Sequence, residues 1–428
     1  MLKPVLKPIP LAVLLLLTLI WLLWPVYDFY AHRGKVAFLP FTETNAIPES
    51  SPAQQRVFDP AYEPAATAAI SHMIATKQSI NAPAISAAVA IEGEIKWAGA
   101  TGWADIENKR PATTNTQFRI GSTSKALTSV ALARMVDQGA IDLNTKIANY
   151  FDTLPNENWR SITPRQLASH TAGLPHYKEN TDYIGLYQTT ALQTRYTDVE
   201  DALEVFDSSD LLFEPGAQFS YSSLGTVLLS ATMQQAGKTP YLELVKNLVL
   251  GPLNLNATDA EYNIDDKSNF ATFYWNNKGR QSHVKPWREV DLSHRLAGGG
   301  FISTPSDLVL LGSHFIDSEF VSEQTRQEFW TPKPLPDGTM PPHNYSVGWR
   351  VIDLDLGADI GKVSIANHGG VSRGSQSWLM VIPEYKMSVA VNINSNTDVF
   401  WDFGGVSMEI AKAFILNRGV DTVAVNEQ

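Results

Sequence analysis

An α+β fold is predicted from strand-like stretches near both ends of the chain and a long helix-and-loop middle between them. Pro64 to Lys77 carries helical patterning. Ala84 to Ile91 and Glu94 to Gly99 then pattern as a hairpin, with Glu92-Gly93 supplying the turn. Residues from about 122 to 310 are mostly helical or loop-like. Strand character returns at Val363 to Ala366, Ser375 to Ile382 and Met387 to Ile393, the last two joined by Pro383-Glu384-Tyr385-Lys386. A closing helix is expected over Val406 to Leu416, and no internal repeat or low-complexity block interrupts the pattern.

The 428 residues are 44% hydrophobic and 18% charged, enough to bury a large core. A net charge of −11 and the absence of a basic stripe argue against nucleic acid as a partner. With no cysteine there is no disulfide, no thiolate chemistry and no cysteine-held zinc.

Pro8 to Tyr27 contains no charge, and Leu11 to Trp24 is almost purely apolar. At 1.5 Å per helical residue this run spans about 30 Å, the thickness of a bilayer's hydrocarbon core. Trp21, Trp24 and Tyr27 stand where an interfacial aromatic belt would lie. A cleaved signal peptide is the competing reading, but Trp24-Pro25-Val26-Tyr27 offers no small-x-small cleavage site. The division expected is a cytoplasmic N-terminus (1–8), a transmembrane signal anchor (9–27) and a linker (28–60) rich in Pro, Ser, Glu and Asn. A single catalytic domain (61–418) with a helical insert at about 120–310 follows, then a tail (419–428). With Lys3 and Lys7 ahead of the anchor, the domain is expected outside the cytoplasm, facing the periplasm of a bacterial inner membrane.

The chemistry centres on Ser122-Thr123-Ser124-Lys125, which opens a helical stretch carrying Leu127, Val130, Ala131 and Val136 and stopped by Gly139. A serine and a lysine three residues apart share one helix face, so the hydroxyl can pass its proton to the amine and become a nucleophile. The helix N-terminus adds free N–H groups that suit an oxyanion. A second such spacing, Ser282 to Lys285, runs into Pro286 and opens no helix, so it is read as chance.

Further motifs follow: Leu167-Ala168-Ser169-His170-Thr171-Ala172-Gly173-Leu174-Pro175, Phe213-Glu214-Pro215-Gly216, Tyr221-Ser222-Ser223, Gly298-Gly299-Gly300-Phe301 and His368-Gly369-Gly370. Their order and spacing resemble the serine β-lactamase and penicillin-binding-protein superfamily, from about residue 64 to 415. The likeness is closest to its class C-like branch of D-Ala-D-Ala carboxypeptidases, esterases, D-aminopeptidases and mitochondrial serine β-lactamase-like proteins. It implies an antiparallel sheet flanked by terminal helices, an inserted helical subdomain, and an active-site groove between them.

The resemblance also implies roles. Ser122 would be the nucleophile, Lys125 its proton acceptor and Tyr221 a partner in the proton work. The oxyanion hole would be the backbone N–H groups of Ser122 and Val371, with Gly370 letting strand and substrate lie close. Two positions depart from the family: Ser223 stands where asparagine is usual, and His368 replaces the lysine of the strand motif. Both weaken the expected grip on a β-lactam carboxylate. Arg373 has two open readings, a solvated loop residue or a clamp restoring the missing charge. His170, His176 and His368 match no metal-ligand spacing, and neither cofactor nor metal is expected.

The function expected is a membrane-anchored serine hydrolase that forms an acyl-enzyme on a small-molecule or peptide ester or amide, with weak β-lactamase activity at most. The alternative is a low-turnover penicillin-binding, scaffold or sensor protein that keeps the fold.

Overall fold

Alanine-rich Ala84–Ile91 is buried along its whole length, as a strand covered on both faces must be. The computed structural model describes residues 10–39, 43–277 and 280–417. Its main sheet is built on β1 (Ala53–Val57), β2 (Ala84–Ile91), β3 (Glu94–Asp105), β4 (Arg350–Asp355), β5 (Lys362–Ser372), β6 (Ser375–Ile382) and β7 (Met387–Ile393), with the short strand Arg110–Pro111 pairing the end of β3. They pair in the order β4-β5-β6-β7-β2-β3-β1, antiparallel throughout. The helices that matter here are α1 (Leu11–His32), α2 (Glu63–Ser79), α3 (Ser124–Asp137), α4 (Tyr183–Ala191), α5 (Ser223–Gly237), α6 (Pro305–Phe315) and α7 (Phe400–Leu416).

The strand alternation sorts the core. Ile85, Val89, Val391 and Met380 face α2 and α7, which contribute Ala69, Met73, Phe403 and Ile410 to one apolar cluster. Ala88, Ala90, Ala390 and Leu379 face the other way, into a larger cluster with α3, α5 and α6. Small residues on that face let α6 approach so closely that a Cβ on Gly312 would sit 2.8 Å from Val381. The expected α+β architecture is present, with the helical insert covering one face of the sheet.

Glu92 (φ 54°) and Gly93 (φ 85°) both take left-handed backbone, the geometry a two-residue hairpin demands. The stretch expected as a linker is more ordered than its composition suggests. α1 continues to His32, and Ala53–Val57 adds an edge strand to the main sheet. The insert also holds a hairpin, Tyr274–Asn277 with Arg280–Pro286, that pairs with Asn45–Ala46. Ser282 and Lys285 lie in that hairpin and not at a helix start. The expected N-terminal segment 1–8 and the tail 419–428 fall outside the described residues.

α1 is exposed along most of its length, but its last turns are built into the domain. Phe29 is buried with Leu192 and Leu292, Asp28 pairs with Arg288 at 2.7 Å, and the His32 ring packs 4.5 Å from that of Trp287.

Candidate active site

A turn of 3-10 helix, Gly121–Thr123, leads directly into α3 and puts Ser122 and Lys125 on one side of the helix start. Lys125 Nζ lies 3.2 Å from Ser122 Oγ, 3.0 Å from Ser223 Oγ and 2.7 Å from the Gly298 carbonyl. The lysine is buried, and its pKa is driven well below the usual lysine value. Burial is the main cause, and the Arg295 and Arg350 cations add to it. A neutral amine has two N–H groups and one lone pair. The Gly298 carbonyl can only accept, so it takes one N–H. With the Ser223 hydroxyl accepting the second, the lone pair is left for the proton of Ser122.

Tyr221 completes the cluster. Its ring lies 4.9 Å from Lys125 Nζ and its hydroxyl is hydrogen-bonded with Ser122. Burial pushes its pKa up to about 12, outweighing the hydrogen bond to Ser122 and the Arg350 charge. The phenol therefore holds its proton at neutral pH, and the groups suited to accepting and donating a proton are Lys125 and Tyr221 respectively.

β5 passes the turn Gly121–Thr123 almost in backbone contact. A Cβ on Gly370 would stand 1.9 Å from the Ile120 carbonyl oxygen and 2.9 Å from Ser122 N. Gly121, at φ +51°, meets Val371 the same way, with its would-be Cβ 2.7 to 2.8 Å from three Val371 backbone atoms. Two glycines thus let Val371 and Ser122 lie side by side, as a shared oxyanion site requires.

His368 is fully buried behind the strand. Its Nδ1 lies 2.9 Å from the Gly369 carbonyl, which can only accept, so Nε2 receives the Tyr345 hydroxyl at 2.9 Å. Burial, with Arg350 and Lys125 nearby, holds its pKa well below the usual histidine value. His368 is therefore a neutral prop for Tyr345 and not a substrate contact. His170 and His176 are likewise neutral. Their Nδ1 atoms accept from the backbone N–H groups of Ser222 and Ser223, and the His170 ring packs 4.3 Å from Tyr221.

Arg373 takes neither of its two sequence readings. Its guanidinium stacks over Phe29 at 4.8 Å and near Trp287 at 5.8 Å, against the end of α1. The cation in the groove is one that sequence reasoning missed. A pocket of about 390 Å³ is lined by Ser122, Tyr221, Val371 and Gly369 together with Arg350, Asn367, Trp378 and Phe400. Arg350 begins β4 and sits opposite Asn367, the residue before His368. The only signal was the short alternation of Arg350 to Asp355, too brief to place beside a strand 12 residues on.

Comparison with known proteins gives the family of the chain and the relatives of its fold. The beta-lactamase family profile matches residues 68–403. The chain is 27% identical over 400 residues to the mitochondrial serine beta-lactamase-like protein LACTB of Mus musculus, covering 74% of this chain and 72% of that one. The Homo sapiens LACTB is 27% identical over 394 residues, with the same coverage. Among solved structures, D-amino acid amidase from Ochrobactrum anthropi SV3 superposes with a TM-score of 0.68 at 21% identity, covering 83% of this chain and 99% of the amidase. The octameric penicillin-binding protein homologue from Pyrococcus abyssi gives 0.65 at 21% identity, covering 82% and 77%.

Proposed function

Because the chain belongs to the beta-lactamase family and is a β-lactamase-related serine hydrolase, we propose that it cleaves an ester or amide through an acyl-enzyme on Ser122. The observation that carries this reading is the buried Lys125, its pKa driven well below the usual lysine value, 3.2 Å from the Ser122 hydroxyl. Lys125 takes the Ser122 proton as Oγ bonds to the substrate carbonyl carbon. The resulting oxyanion lies against the Ser122 and Val371 N–H groups. On collapse the bond to the leaving group breaks. Tyr221 hands that group a proton and regains one from Lys125. Water then attacks the acyl ester as Lys125 takes its proton, and Lys125 returns that proton to Ser122 Oγ as the acyl–oxygen bond breaks and the acid leaves.

Ester or small amide substrates suit this site better than β-lactams. The strand lysine of the family is absent, and its replacement His368 is neutral and turned away from the pocket. Losing one charge-assisted hydrogen bond costs about 1.5–3 kcal/mol, roughly 10- to 100-fold. The test is kcat/KM for 4-nitrophenyl butyrate against nitrocefin. The ester should be favoured by at least tenfold, and faster nitrocefin turnover would contradict the assignment.

The same reading places the enzyme on a membrane, held by α1 with its domain outside the cytoplasm. Support comes from the 22-residue apolar helix and from its neighbour α4. There Tyr187 donates to the Leu22 carbonyl at 3.1 Å, while Tyr183 and Ile184 are 83% and 74% exposed beside the apolar helix. Such a face fits the headgroup boundary. N-terminal sequencing of the mature protein tests it, and a start within residues 24–34 would identify a cleaved signal instead.

A further inference from the structure

Building on the acyl-enzyme reading, we propose that Phe29, near the end of α1, is a positioning residue for the oxyanion site and acts through Arg373. β5 and β6 are joined by the two-residue turn Arg373-Gly374, with Ser372 and Ser375 paired across it. Val371, whose N–H that reading assigns to the oxyanion, stands two residues before Arg373. Val371 lines the pocket around Ser122, whereas Phe29 and Arg373 do not, so neither touches the substrate. Their influence passes through the backbone of the turn.

Three contacts hold that turn. A Cβ on Gly374 (φ +73°) would stand 2.6 Å from Trp287 Cδ1 and 2.7 Å from Tyr274 N, so the tip is pressed onto both arms of the insert's hairpin. The Arg373 carbonyl accepts from Arg119 Nη1 at 3.0 Å, and Arg119 is itself fixed by a two-pronged pair with Glu261 at 2.8 and 2.7 Å. Since Arg119 leads through Ile120 into Gly121–Thr123, this bond ties the strand turn to the turn that carries Ser122. The third contact is the Arg373 side chain, laid over Phe29 at 4.8 Å. Its Nε is buried without a hydrogen-bond partner, so the ring face is what seats it. The ring in turn is fixed: Phe29 is buried with Leu192 and Leu292, and Asp28 beside it pairs with Arg288. α1 thus holds the turn by its side chain as Arg119 holds it by its carbonyl. Without the ring the turn gains freedom, and the Val371 N–H strays from the direction an oxyanion needs. This role of α1 is separate from the membrane role proposed above.

A double-mutant cycle on the full chain, read with 4-nitrophenyl butyrate, tests this. Phe29→Leu keeps an apolar side chain against Leu192 and Leu292 but removes the aromatic face. Its kcat should fall about tenfold, part of what loss of a whole oxyanion donor costs, with KM within about twofold. Arg373→Met, unbranched and uncharged, should lose about as much, and the double variant no more than either alone. Tyr187→Phe removes the hydrogen bond to the Leu22 carbonyl, loosening α1 without touching Phe29, and should keep the wild-type kcat. Hydrogen exchange needs no turnover: in Phe29→Leu it should quicken about fivefold or more over residues 369–375 and stay unchanged in α2. An unchanged kcat in Phe29→Leu, additive losses in the double variant, an equal loss in Tyr187→Phe, or unchanged exchange over residues 369–375 would each overturn the proposal. The acyl-enzyme reading fails separately, if the wild type turns over no ester and forms no adduct on Ser122 while the exchange difference is still seen.

Discussion

Adding one methyl group at residue 370 should disable the enzyme while leaving its fold in place. In Gly370→Ala the new Cβ would meet the Ile120 carbonyl oxygen at 1.9 Å, with Thr123 N at 2.8 Å and Ser122 N at 2.9 Å. A real Cβ essentially never comes within 3.0 Å of another heavy atom, so β5 and the turn Gly121–Thr123 must part by about 1 Å or more. All three atoms are backbone and cannot swing aside. The separation falls between the two N–H groups proposed to hold the oxyanion. Losing one such donor costs about 10²–10³ in rate, and a displacement of about 1 Å has a similar effect. We expect kcat for 4-nitrophenyl butyrate to fall by about 10²–10³ with KM little changed, because the ground-state carbonyl uses these donors weakly. Circular dichroism and thermal unfolding check the fold. Gly405→Ala, at a glycine that like Gly370 has no positive φ and where a Cβ meets nothing within 4 Å, controls for the loss of a glycine as such. A Gly370→Ala enzyme within threefold of wild type would refute the role of this backbone pair.

Two further outcomes rest on buried ionisable groups. Since Lys125 must be neutral to act and its pKa is depressed, kcat/KM should rise with pH as the amine loses its proton and then stay level, because Tyr221 near 12 keeps its proton. Arg295→Gln removes a repelling cation and should move the rise to higher pH, while Lys125→Arg, charged at every working pH, should lose about 10³-fold or more; near-normal rates in the latter would make Lys125 a fixed cation. Asp307 tests stability: burial pushes its pKa up to about 6, so the folded state binds the extra proton between about pH 4 and 6. Stability should therefore rise as pH falls through that window, by up to about 3 kcal/mol from this group, and Asp307→Asn should flatten the trend in thermal melts.

How far the sequence revealed this arrangement depended on what kind of signal each residue carried. β2, β6 and β7 were legible because long apolar runs bounded by turn residues have one physical solution in a sheet covered on both sides. Ser122 and Lys125 were legible because their spacing fixes them on one helix face. β1 was hidden in polar Ala53-Gln54-Gln55-Arg56-Val57, where an edge strand owes its place to pairing with β3 and not to its own apolar pattern. β5 was expected only to Ala366, since His368-Gly369-Gly370 has weak strand propensity; the strand continues because β6 pairs with it as far as Ser372. The cations were hardest. Arg373 follows the oxyanion strand in sequence yet turns onto Phe29, whereas Arg350, 18 residues before His368, reaches the groove through strand pairing. Charge placement across a sheet is a tertiary fact, and a linear motif does not encode it.

The account stands on Ser122 as the nucleophile activated by Lys125, and covalent trapping addresses that most directly. The protein should be treated with a fluorophosphonate, weighed intact, and digested to locate the adduct. One adduct per chain is predicted, on Ser122, absent in Ser122→Ala and strongly slowed in Lys125→Arg. An adduct on any other residue, Ser282 for example, or unchanged labelling in Ser122→Ala, would contradict it.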